Sequence, residues 1–275
     1  MDFPPFRWLY WLFRKIKLTK EISRNGSSYQ VLLQNGVGGM NFLGHYENWL
    51  DNLLPFLMNE EQTVFIDIGA NTGQTMLKVL PRFHKVQYYA VEPNPACVSY
   101  LKELCRINQF TNVTILPAAL SDVEGETVLL RRYADDLLAT TTPQFRKFTR
   151  YSDRITVPVG IGDKLLESLS LSKIDLIKID VEGGESNVIN GLRKTILDFQ
   201  PIILCEILPL GSTDDEVAAY RLSSATKLIN IMKSLNYSIF NIALNVEVLE
   251  VQGLSDSLEA CNYLMIPKGT AVHGF

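Results

Sequence analysis

Phe65-Ile66-Asp67-Ile68-Gly69-Ala70-Asn71-Thr72-Gly73-Gln74-Thr75 is an apolar run that meets an acid, turns through two glycines and re-enters a helical pattern. The β-type residues from Thr63 to Ile66 read as a strand, and Gln74 to Leu80 as the helix that follows. A chain of this kind presents bare backbone N–H groups and one carboxylate to a polar ligand at the carboxyl end of a strand. Val86-Gln87-Tyr88-Tyr89-Ala90-Val91 reads as the next strand, with Glu92 at its tip. Glu92 lies roughly 20 residues beyond the glycines, where a βαβ unit places the carboxylate that grips a ribose.

The spacing separates two kinds of nucleoside cofactor. A nicotinamide fingerprint needs Gly-x-Gly-x-x-Gly, with the pyrophosphate on the helix N-terminus. Here the pattern is Asp67-x-Gly69-x-Asn71-x-Gly73, and Gln74 stands where the third glycine belongs. A carboxylate beside the loop repels a pyrophosphate and suits a cationic ligand end, such as the ammonium and sulfonium of S-adenosylmethionine.

Outward from this motif, strands and helices alternate, which predicts a parallel sheet with helices on both faces. Pro95 to Asn108 reads as a helix opened by its proline, and Val113 to Leu116 as the third strand. Ile174 to Ile179, Ser186 to Leu197, Pro201 to Cys205 and Asp214 to Leu235 continue the alternation. Tyr237 to Asn241, Val246 to Val251 and Ala260 to Ile266 read as closing strands. Residues 127–159 break the rhythm: two strand-like runs, Thr127 to Arg132 and Ile155 to Val159, flank a polar, locally basic segment. An insertion of this length is a candidate substrate lid, and its Arg146, Lys147, Arg150 and Arg154 can meet an acidic or phosphorylated substrate.

A second acidic tip lies in Lys178-Ile179-Asp180-Val181-Glu182-Gly183-Gly184-Glu185. Strand alternation puts Lys178 and Asp180 on one face. A lysine in an apolar strand needs a partner, and Asp180 or Glu206 at the next strand end can supply one. Asp180, Glu182 and Glu206 are therefore candidates to orient or deprotonate a hydroxyl. The same oxygens suit a hard cation, but the motif does not demand a metal, and none is expected.

The segments Phe65 to Thr75, Ala90-Val91-Glu92-Pro93-Asn94, Ala118-Ala119-Leu120-Ser121-Asp122 and Lys178 to Glu185 together resemble FkbM-type methyltransferases. The resemblance runs from about Thr63 to the C-terminus, and Lys-Ile-Asp-Val-Glu-Gly is its most specific part. It implies a doubly wound, Rossmann-like class I methyltransferase fold, α/β, with a mostly parallel sheet and a C-terminal antiparallel strand. It implies an S-adenosylmethionine-dependent enzyme that O-methylates a hydroxyl of a sugar, glycolipid, polyketide or related natural product. On this reading Asp67, Gly69, Asn71 and Gly73, with Thr75, hold the methionine part. Glu92 holds the ribose, Ala119 to Ser121 meet the adenine, and Asp180 and Glu182 face the reacting centre. Two rival readings are an NAD-dependent oxidoreductase and a non-catalytic, membrane-recruited module that keeps the fold.

The chain has 275 residues, is 47% hydrophobic and carries a formal charge of −4. That suffices for one methyltransferase domain, residues 61–275, behind an N-terminal helical extension and glycine-rich lead-in, residues 1–60. The slight acidity argues against a nucleic-acid binder. Cys97, Cys105, Cys205 and Cys261 show neither a disulfide framework nor zinc spacing, and a reducing cytoplasm is the simplest compartment. His45, His84 and His273 are scattered and read as surface or packing residues. Phe3 to Leu18 is aromatic and basic, with Phe6, Leu9, Phe13 and Ile16 on one helical face. It reads as an interfacial helix in peripheral contact with a membrane, or as a helix docked on its own domain or on a second subunit of a homodimer.

Overall fold

The computed structural model describes residues 17–44, 48–58, 62–146, 151–211 and 214–270. The aromatic segment before Lys17, and with it the interfacial-helix expectation, lies outside them, as do His45 and His273. Among the described residues no helix is long and apolar enough to cross a membrane.

Strand β3 (Val64–Ile68) is buried along its whole length. It lies between β4 (Gln87–Val91) and β9 (Leu176–Ile179), parallel to both. β5 (Val113–Leu116) continues the parallel set beyond β4, and β10 (Ile202–Glu206) beyond β9. β13 (Asn262–Pro267) then inserts antiparallel between β10 and β11 (Tyr237–Asn241), and the short β12 (Val246–Glu247) closes the edge. The order β12-β11-β13-β10-β9-β3-β4-β5 is doubly wound and Rossmann-like, mostly parallel, with the expected C-terminal antiparallel strand. Class I methyltransferases have this fold.

Alternation along the strands feeds two cores, one on each face. Ile66, Ile68, Ile177, Ile179 and Ile203 pack with Val188, Ile189, Ile196, Leu228 and Met232 on one side. These helix residues come from α6 (Glu185–Gly191), α7 (Arg193–Phe199) and α8 (Asp215–Ser234). Phe65, Leu176 and Leu204 face the other side, against α2 (Asn48–Leu57), α3 (Gln74–Val79) and α4 (Pro95–Asn108). The expected single helix from Ser186 to Leu197 is two helices that meet at Leu192. The strand expected to reach Val251 stops at Glu247.

The first described residues correct the expected helical extension. β1 (Lys17–Arg24) and β2 (Ser27–Gln34) form an antiparallel hairpin. Its turn is Asn25-Gly26, with φ of 49° and 78°, the left-handed pair that matches the twist of two strands. The hairpin belongs to the domain core. Asn108 of α4 brackets Gln30 through its backbone N and O at 2.7 and 2.8 Å. Asp51 of α2 pairs with buried Lys78 at 2.8 Å and with Arg24 at 2.6 Å. α1 (Gly39–Leu43) follows the hairpin, and its buried Asn41 donates to the Thr72 carbonyl at 2.6 Å.

The insertion builds a small second sheet, order β6-β8-β7, from β6 (Ala119–Ser121), β7 (Gly125–Arg131) and β8 (Asp153–Ile161). α5 (Gly162–Glu167) leads back to the main sheet. The loop between β7 and β8 runs over the carboxyl ends of the parallel strands.

Candidate active site

Parallel strands bring their carboxyl ends to one edge, so residues distant in sequence converge there. Gly69 has φ of +88°, and a Cβ at that position would lie 1.8 Å from the Asp180 carbonyl oxygen. Its missing side chain lets the tips of β3 and β9 touch. The amides of the loop are not bare. Gly69 and Ala70 donate to the Val91 carbonyl at 2.9 and 3.1 Å, and Gly73 to Ala70. Asn71, at φ 45°, donates its N–H to Glu92 Oε2 at 2.8 Å, while Asn94 donates to Oε1 at 2.7 Å. The loop thus fixes a carboxylate in place as well as leaving room for a ligand.

A cavity of about 470 Å³ opens here, a size typical of small-molecule sites. Gly69, Asn71, Thr75, Glu92, Ala119, Asp180, Glu182 and Glu206 line it. Pro93, Leu120, Leu129, Leu137 and Leu138 give an apolar wall near Glu92 that suits a flat base. Three expected contacts are corrected. Asp67 is fully buried behind the cavity, where it accepts a 2.6 Å hydrogen bond from Tyr88. Its position in β3 turns it towards the Phe65 face and away from the loop. Gly73 packs against Leu101 and Leu104 of α4, and Ser121 against Gly191 of α6.

The acids line the same cavity. Lys178 Nζ holds Asp180 Oδ2 at 2.8 Å, the pairing expected from strand alternation. Glu182 has φ of +57°, unfavourable for a residue with a side chain. Several bonds hold it there. Its carbonyl accepts from Thr140 Oγ1 at 2.7 Å. The next carbonyl, of Gly183, accepts from Tyr220 at 2.9 Å, and Gly183 donates to Glu185 at 2.9 Å. The Glu182 carboxylate pairs with Arg146. Cys261 Sγ donates to Glu206 Oε1 at 3.3 Å. Oxygens of Asp180, Glu182 and Glu206 lie within 4.8 Å of one another.

Burial raises these carboxyls to different degrees. Glu182 is pushed up to about 7, with Arg146 pulling it back and Asp180 adding to the rise. Glu206 is pushed up to about 9 by burial and by its two acidic neighbours. Glu92 rises to about 7, restrained by the Asn94 and Asn71 amides. Burial and the neighbouring acids thus push both Glu182 and Glu206 towards holding a proton near neutral pH, Glu206 the more strongly.

Two segments supply further lining: Met40 of α1, from the glycine-rich lead-in, and Leu137, Leu138, Ala139 and Thr141, from the insertion read as a candidate lid. The Gly38 N–H donates to Asp135 Oδ2 at 2.9 Å and ties these two segments together. Sequence reasoning singled out the two segments but none of these lining residues individually.

Residues 67–239 match the family described as the methyltransferase FkbM domain. That is more than half of the chain, and the chain belongs to this family. It is 26% identical over 151 residues to the 2-O-methyltransferase NoeI of Sinorhizobium fredii (strain NBRC 101917 / NGR234), covering 51% of this chain and 61% of NoeI. It thus spans less than two thirds of that relative. It is 22% identical over 178 residues to Methyltransferase 1 of Beauveria bassiana (strain ARSEF 2860), covering 59% of this chain and 72% of the relative. Among solved structures, a methyltransferase FkbM from Methylobacillus flagellatus KT superposes with a TM-score of 0.44 at 13% identity, over 74% of this chain and 43% of that one. The S-adenosylhomocysteine-bound Podospora anserina methyltransferase PaMTH1 gives 0.42 at 15% identity, over 74% and 71%.

Proposed function

We propose that this protein is an S-adenosylmethionine-dependent O-methyltransferase acting on a hydroxyl of a sugar, glycolipid or related natural product. The observation that supports it most is one cavity lined by a fixed carboxylate, Glu92, by apolar side chains and by three clustered acids. Glu92 faces a ribose diol with lone pairs to spare beyond its two amide bonds. The wall from Leu129, Leu137 and Leu138 suits adenine, and Asp180 supplies negative charge for a cationic centre. The relative NoeI is named for 2-O-methylation, which favours a hydroxyl acceptor. When bound, S-adenosylmethionine supplies a methyl group on a positively charged sulfur, and its transfer balances the proton that the acceptor loses.

The chain's own task is to place a hydroxyl and take its proton. Glu182, pushed up to about 7, is the general base, because a base works best with its pKa close to the working pH. Glu206, protonated, donates a hydrogen bond that holds the acceptor oxygen. Asp180, paired with Lys178, orders the centre. A nicotinamide ligand fits less well, since the loop spends its amides on Val91 and Glu92 and offers no row of donors to a pyrophosphate.

Titration calorimetry tests the cofactor. S-adenosylhomocysteine should bind, and Glu92→Ala should lose roughly 1.5–3 kcal/mol of that affinity, the scale of hydrogen bonds to a charged group. NAD binding as the tighter ligand overturns the reading.

A further inference from the structure

Behind Glu182, which lines the cavity, two arginines lie close together. Arg146 and Arg221 both stack on Phe145, with their guanidinium carbons 5.2 and 5.1 Å from the ring centroid. Among the described residues Arg146 pairs with Glu182. Arg221 donates to the carbonyls of Pro209, Gly211 and Phe145, and among the described residues no carboxylate pairs with it. The Nε–H of each arginine is buried without an acceptor among the described residues. Arg221 is depressed by burial and then by Arg146. Nearby, Lys178 already answers Asp180, and Glu206 is pushed towards holding a proton near neutral pH. Two guanidinium groups thus gather beside the Glu182 carboxylate, the group placed above as the base.

We propose that Arg146, backed by Arg221, recognises an anionic group on the acceptor close to the reacting hydroxyl, a phosphate, sulfate or carboxylate. Docking of that group draws Arg146 off Glu182 and frees the Glu182 carboxylate to take the hydroxyl proton. Arginine's planar fork matches all three anions. The exchange swaps one anion for another on Arg146, so charge in the buried site stays compensated. With Arg146 turned to the acceptor, the cation that holds Glu182 down is gone, and Glu182 becomes a stronger base when its substrate is present. A neutral acceptor leaves Glu182 bound to Arg146 and unreactive. The inference rests on Glu182 facing the acceptor, as proposed above.

The test titrates inorganic phosphate, and separately sulfate, into the full chain saturated with S-adenosylhomocysteine. Wild type should bind both, and Arg146→Gln should weaken them about 10-fold or more. Arg146→Lys, which keeps the charge without the fork, should fall between. Glu182→Gln removes the competing carboxylate and should bind phosphate more tightly than wild type, a gain that a merely structural Arg146–Glu182 contact does not predict. Turnover should follow: a hexose phosphate or hexuronate should release S-adenosylhomocysteine from S-adenosylmethionine, and the neutral hexose should not. Equal anion affinity in wild type and Arg146→Gln, or no tightening in Glu182→Gln, overturns the inference while intact S-adenosylhomocysteine binding leaves the proposed function standing. Loss of S-adenosylhomocysteine binding in wild type overturns both.

Discussion

Replacing Glu182 with glutamine should lower turnover by roughly 10²–10⁴, the contribution of a positioned general base. Affinity for S-adenosylhomocysteine should stay within about tenfold, or ~1.4 kcal/mol, because Glu92 and the apolar wall, not Glu182, are the proposed cofactor contacts. Rate against pH adds a second signature. Burial raises the free-protein Glu182 to about 7, and a base acts when deprotonated. kcat/KM should therefore climb as pH rises through about 7 in wild type, and that limb should vanish in Glu182→Gln. Chelator should leave wild-type turnover unchanged, since Lys178 and Arg146 already oppose the acidic cluster. Unchanged turnover in Glu182→Gln moves the base to Glu206; chelator inhibition reversed by Mg²⁺ recasts the three acids as metal ligands.

Gly69→Ala should both destabilise the fold and abolish cofactor binding. The added Cβ would sit 1.8 Å from the Asp180 carbonyl oxygen, a backbone atom that cannot swing aside. The φ of +88° adds the left-handed penalty, about 1–2 kcal/mol. Overpacking typically costs 1–3 kcal/mol more, so urea denaturation should show a loss of about 2–5 kcal/mol. Parting β3 from β9 also moves Asp180 relative to Glu92, so any folded protein should fail to bind S-adenosylhomocysteine. Wild-type stability and binding in this variant would show that the two strand tips do not meet as described. Gly26→Ala is the matched control, left-handed at +78° but with open space around its Cβ; it should cost only the backbone penalty.

The strand-acid-glycine order around Asp67 and Gly69 and the second tip at Asp180 were legible because they follow from local periodicity and from the rule that parallel strands end together. The acids were legible as a cluster for the same reason. The role of Asp67 was not, because its destination depends on which face of β3 it takes and on Tyr88, 21 residues later, which receives it. The Arg146–Glu182 pair joins positions 36 apart through a loop with no periodic pattern, and sequence spacing carries no information about such a contact. The Asn25-Gly26 turn was readable as a hairpin. The aromatic helical pattern just before it drew the reading towards a helix instead.

The 2.9 Å bond from the Gly38 amide to Asp135 joins chain segments 97 residues apart across the mouth of the cavity. Met40 beside the one segment and Leu137 and Leu138 beside the other line the cavity, so a ligand there should hold both segments together. In hydrogen exchange, S-adenosylhomocysteine should slow the amides around positions 38–41 and 135–140 with one shared concentration midpoint. Asp135→Ala should quicken exchange in both segments at once. The residence time of the spent cofactor is then set at this rim, away from the acids that carry out the chemistry, and a sequence change at either segment can alter how fast the protein recycles without altering how well it reacts.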